Sequence, residues 1–98
     1  MKWEKMNPNK IREFLSEVCP KAILVEGMDE CIIGVSFNVP NDTNVVYSKI
    51  AIIRNLMRNN KLTYFEAIQY LEFNIQGIKF NSKVEPMFFD DLPQPILN

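Results

Sequence analysis

Residues 45–77, VVYSKIAIIRNLMRNNKLTYFEAIQYLEFNIQG, constrain the fold more than any other stretch of the chain. Thr63 and Glu66 have the spacing of a capping box. The hydroxyl accepts the N–H of Glu66 while the carboxylate accepts the N–H of Thr63. Leu62, just before the cap, is placed to pack on Ala67 as a hydrophobic staple. Tyr64, Ile68, Leu71 and Ile75 then recur at helical spacing and predict a buried face. Gly77 is expected to end this helix in a left-handed conformation. In the first half of the stretch, Ser48 is a candidate N-cap. Ile50, Ile53, Leu56 and Met57 predict a buried stripe, and Asn59-Asn60-Lys61 a helix end. So short a link makes the two helices antiparallel neighbours. Residues 45–47 read as a short strand leading into the pair.

The flanking chain supplies a further helix and more strands. Asn7 before Pro8 predicts a helix start, since the missing proline N–H costs nothing in the first turn. Ile11, Phe14, Leu15 and Val18 form one face, and Pro20 ends the helix. Residues 22–26 (AILVE) read as a central strand covered on both faces. Residues 27–30 read as a turn and residues 31–37 (CIIGVSF) as the second strand of a hairpin. Residues 40–42 read as a loop. Residues 78–80 and 84–89 predict another hairpin, with Pro86 confining its last strand to an edge. The expected architecture is α+β: a small, mainly antiparallel sheet packed with an N-terminal helix and a central helix-turn-helix pair. Residues 1–98 are expected to form one domain with loose ends at about 1–6 and 90–98.

Composition excludes several classes. The 98 residues are 47% hydrophobic and 23% charged, which suits a globular domain able to bury a core without disulfide or metal staples. A net charge of −1 provides no global field toward nucleic acid or a membrane. No apolar run has the length of a membrane span. Residues 1–10 lack an apolar segment, so no signal peptide is expected and the expected location is the cytoplasm. Cys19 and Cys31 stand outside any CxxC motif and are expected to be reduced core residues. The chain has no histidine, which removes the commonest general base and metal ligand together. No nucleophile elbow, Walker loop, GxGxxG or zinc pattern is present. Neither catalysis, a cofactor nor a metal is therefore expected.

Two segments carry a resemblance: EGMDECIIGV, residues 26–35, and VVYSKIAIIRNLMRNNKLTYFEAIQYLEFN, residues 45–74. Together they resemble a family of small uncharacterised bacteriophage and prophage proteins. That family carries an acidic-Gly-x-Asp-acidic turn, matched here by Glu26, Gly27, Asp29 and Glu30. It then carries Val-Tyr, matched by Val46-Tyr47, and a helix ending in Leu-Met, matched by Leu56-Met57. Its last helix is matched by Thr63, Glu66, Ala67, Tyr70, Leu71, Phe73 and Asn74. Ser48 stands where the family has an acidic cap. The resemblance covers about half the chain and implies a phage setting and a fold, with no assigned activity.

Three sets of residues are candidates for function. Glu26, Asp29 and Glu30 cluster around one turn. They read as a backbone-bonding turn or, because the turn belongs to the resemblance, as a partner-binding element. EF-hand spacing is absent. Tyr64, Phe65, Tyr70, Phe73, Phe80, Phe88 and Phe89 are more aromatics than one helical face and a small sheet need. They read as core residues throughout or as partly exposed, and those left outside the core, with Tyr64 and Tyr70 foremost, would suit a protein interface or a homodimer. Lys49, Arg54, Arg58 and Lys61 lie in an acid-free stretch, the last three at i, i+4 and i+7. They read as a solvated face, or as a site for nucleic acid or a phosphate-bearing nucleotide. Asn74 is expected to be a satisfied polar residue of the core. The functional expectation is a phage-type cytosolic module that binds a bacterial host or defence protein, with phosphate binding through the basic face as the alternative.

Overall fold

Pro8 opens α1 (Pro8–Val18) in the computed structural model, which describes residues 7–38, 42–77 and 85–91, and in all but residues 37, 38 and 42 their side chains. Asn7 caps the helix by accepting the N–H of Lys10 at 3.0 Å. Ile11 and Leu15 are its buried residues, Val18 is half-buried, and Phe14 faces solvent at 45% exposure. The chain order continues with a 3-10 turn (Asp29–Cys31), β1 (Ile32–Asn38), β2 (Asp42–Ser48), α2 (Lys49–Asn59), α3 (Tyr64–Tyr70), a π turn (Leu71–Ile75) and β3 (Met87–Phe89). The fold is α+β, with three helices and one three-stranded sheet ordered β1-β2-β3 among the described residues. β1 and β2 pair antiparallel from Ile32–Tyr47 to Asn38–Asp42, with a register shift between Ile32 and Gly34. β3 adds a short parallel edge, matching Val46 with Met87 and Ser48 with Phe89.

The hairpin lies one segment later than the sequence pattern predicts. Residues 22–26 are not a strand; they pass over the core as coil and turn. Their backbone groups find other partners. The Ala22 N–H donates to the Cys19 carbonyl at 3.0 Å and the Met28 N–H to the Val25 carbonyl at 3.3 Å. The Val25 N–H donates to the Tyr47 hydroxyl at 2.8 Å. Ala22, Leu24 and Val25 are apolar because they pack on the core, not because they pair in a sheet. Gly27, at φ 77, turns the chain into the 3-10 segment, and β1 takes β2 as its partner. Asp42, expected in a loop, starts β2. The predicted C-terminal hairpin falls partly on residues 78–84, outside the described residues. Its last strand, β3, pairs parallel with β2 and sits at the sheet edge as Pro86 requires.

Ser48 caps α2 by accepting the Ala51 N–H at 3.0 Å. The buried face of α2 is Ile52, Asn55 and Leu56, while Ile50 and Ile53 are half-buried and Met57 is exposed. The stripe is rotated from its expected position because apolar residues cover a wide arc of this helix. Packing against β2, the 3-10 turn and α3 then selects the face. The helix ends at Asn59, and Lys61 takes a left-handed φ of 55.

Both halves of the Thr63–Glu66 capping box are present, with N···O distances of 2.8 and 3.2 Å. Leu62 packs against the core and Ala67 is fully buried. Beyond the first turn the buried residues are Ala67, Leu71 and Ile75, four apart; Ile68 is half-buried and Tyr64 exposed. Residues four apart drift around an α-helix of 3.6 residues per turn. The π turn, closed by the Gln76 N–H donating to the Leu71 carbonyl at 2.7 Å, winds more slowly and keeps all three inward. Gly77 ends the element through space and not through a left-handed φ. A Cβ there would lie 2.9 Å from the carbonyl oxygens of both Glu72 and Phe73. Asn74 is exposed, not a core residue.

Val45, Tyr47, Ile52, Leu56 and Cys31 are the fully buried centre, with Cys19 nearby in the same cluster. Both cysteines are free thiols, as their isolated positions predict. No described helix is long and apolar enough to cross a membrane.

Candidate functional site

The acidic turn is a clasp between helices. Asp29 takes a two-pronged pair from Arg12 of α1, its Oδ1 accepting Nη2 at 3.0 Å and its Oδ2 accepting Nε. Glu30 Oε1 accepts from Asn55 Nδ2 and from Arg58 Nη2, both at 2.7 Å and both on α2. Asp29 and Glu30, read from sequence as partner-binding candidates, are thus engaged within the fold. They hold the 3-10 turn to the helices on either side. Glu26 stays exposed and adds to the negative field at Arg12. The described residues contain no cluster of three or more metal-ligating side chains.

The basic set is divided in the same way. Arg58 belongs to the Glu30 clasp, and Lys49 pairs with Asp90 at 2.6 Å. Arg54 and Lys61 are exposed and form no ion pair among the described residues. Lys61 lies past the helix end in a left-handed turn, so it does not continue the Arg54–Arg58 face.

Asp91 extends this second contact. Its Oδ2 accepts the Ser48 hydroxyl at 2.7 Å and its Oδ1 the Ile50 N–H at 3.3 Å. Burial pushes the carboxyl up, but the hydrogen bonds from Ser48, Ile50 and neighbouring backbone outweigh it and hold the group below the usual carboxylate range. Residues 90 and 91, expected in a loose tail, are therefore anchored; residues 92–98 lie outside the described residues.

The aromatics range from core to surface, with Phe14 and Phe89 exposed at 45% and 51% outside α3. Tyr47 is buried and stacks on half-buried Phe88, with ring centroids 5.9 Å apart. Burial pushes the Tyr47 phenol up, and the Cys19 thiol likewise, so neither is poised to ionise near neutral pH. By contrast Tyr64 is 54% exposed, Phe65 76%, Tyr70 39% and Phe73 74%. All four stand on α3 and the π turn. Tyr64 and Phe65 meet edge to face at 5.8 Å. Tyr64 and Tyr70 are the predicted pair; Phe65 and Phe73 are the most exposed of the set. The signal for them was present in the four-residue spacing Phe65, Gln69, Phe73, offset by two positions from Ala67, Leu71, Ile75. Taking 150–250 Å² for a whole ring, the four leave about 400–600 Å² in water. Phe80 lies outside the described residues.

Comparison of the chain with protein-family models, with curated proteins and with solved structures found no match.

Proposed function

We propose that the chain is a protein-binding module of phage type that engages a bacterial host or defence protein, without catalysis, through the outer face of α3 and its π turn. The observation that carries this reading is the exposure of Tyr64, Phe65, Tyr70 and Phe73 on one short element. Rings in water at this density are costly to keep unless something covers them, and aromatic side chains dominate the energetics of interfaces. Thr63 and Glu66 fix the start of the element and Gly77 its end, so the rings stand on a braced helix. A π turn re-aims the side chains that follow it and is frequent at functional sites. The phage setting rests on the sequence resemblance.

Phosphate binding by Lys49, Arg54, Arg58 and Lys61 has less support, because Lys49 and Arg58 already neutralise carboxylates of the chain itself. The test is affinity capture from bacterial lysates with the tagged chain and with a Phe65→Ala/Phe73→Ala variant. The expected result is a specific protein retained by the first and lost by the second. Identical capture by both removes the aromatic face from the reading. Absence of any specific protein across several hosts refutes the reading itself.

A further inference from the structure

The segment 85–91 lies on the fold like a strap. Its ladder to β2 is three residues of parallel pairing, the short end of the usual strand range. Pro86 is buried and Phe88 is half-buried on the Tyr47 ring, while Met87 and Phe89 alternate with them on the exposed side. The remaining hold is polar. Asn44 Nδ2 donates to the Glu85 carbonyl at 2.8 Å. Ser48 and Ile50 hold Asp91, and Lys49 pairs with Asp90. The seat is built independently of the strap: β2 is paired along its other edge to β1, and Ser48 also caps α2. Removing the strap would leave an unpaired strand edge beside the Tyr47 ring, leading into a helix N-terminus whose Ser48 hydroxyl and Ile50 N–H are free to take another carboxylate. Such an edge accepts an extended peptide by adding a strand.

We propose that residues 85–91 are a detachable strap and that its seat, the outer edge of β2 running into α2, is a docking site for an extended partner segment of the strap's own chemistry. That segment carries an aromatic at the Phe88 position and a carboxylate three residues later.

The probe is a fluorescein-labelled peptide of the strap sequence, EPMFFDD, titrated into the full chain and into its Asp91→Ala variant. Hydrogen exchange is followed on the same samples. Amides of 85–91 are expected to exchange at least about tenfold faster than those of β1, because local opening is cheaper than global unfolding. Asp91→Ala should accelerate them further while leaving β1 unchanged. Because the variant's own strap vacates the seat more often, it should bind the peptide at least about tenfold more tightly than the parent chain does. Peptides carrying Phe88→Ala or Asp91→Ala should lose binding. Equal exchange of strap and β1 would overturn the proposal. So would a fast-exchanging Asp91→Ala strap with no peptide binding, or substituted peptides that bind as well as the parent. If Asp91→Ala does not fold, Phe88→Ala, which takes the strap's ring off Tyr47, carries the same test.

Discussion

Glu30 is where removal of one exposed acid should damage the fold most. Its Oε1 serves two donors of different standing. Asn55 is 4% exposed, so its amide has no ready access to water if Glu30 is lost. Arg58 keeps 64% side-chain exposure and is readily hydrated alone. Glu30→Ala therefore leaves one buried donor unsatisfied, about 1–3 kcal/mol, and breaks an exposed ion pair, about 0.2–1 kcal/mol. The expected total is about 1–4 kcal/mol, most of it from Asn55. Arg58→Ala removes only the ion pair and should cost at most about 1 kcal/mol. Glu30→Gln keeps an amide oxygen for Asn55 and should recover most of the Glu30→Ala loss. Urea melts followed by circular dichroism measure all three. At a slope of about 1–2 kcal/mol per molar, Glu30→Ala should lower the midpoint by about 0.5–4 M. The reasoning fails if Glu30→Ala costs less than Arg58→Ala. It also fails if Glu30→Gln is as damaging as Glu30→Ala, since the loss would then follow the charge and not the bond to Asn55.

Leu71→Ala should cost about 2–5 kcal/mol through the cavity it leaves, and Thr63→Ala about 0.5–2 kcal/mol through the lost cap; denaturant melts that reverse this order would place α3 wrongly. Gly77→Ala forces a Cβ to within 2.9 Å of two carbonyl oxygens and should destabilise by about 1–3 kcal/mol. A neutral melt for that variant would remove the close approach as the reason for glycine. Asp91 has a folded-state pKa below its unfolded value, so its contribution is complete above the ordinary carboxylate range, near pH 3.9, and is lost as pH falls through the lower folded value. Melts of the parent chain and Asp91→Asn between neutral pH and pH 2 should accordingly show a gap that closes at the acid end, and a gap that widens there would contradict the assigned direction.

Local signals were legible wherever the chemistry lies within a few residues. Asn7, Ser48 and the Thr63–Glu66 pair were readable as caps because each acts three residues away along the chain. Pro86 announced an edge strand because a missing N–H is a property of the residue itself. The α+β class and the aromatic surplus also followed from pattern and composition. Long-range partnership was not legible. Residues 22–26 look like a strand, but an apolar run states only that it will be buried. That its N–H groups go to a turn and to the Tyr47 hydroxyl depends on a residue 22 positions away. The acids of the turn and the bases of α2 looked like two separate sites. Only the packing of α2 against the 3-10 turn makes Glu30 and Arg58 one clasp, joining residues 28 positions apart. Which arc of α2 turns inward was decided the same way, since its apolar residues span more than one face. The sequence by itself determined where helices start and that aromatics are numerous for so small a core. Tertiary structure decided which charges were spent internally and which rings, Phe65 and Phe73 above all, stayed in water, because burial and charge pairing are properties of neighbours brought together by the fold.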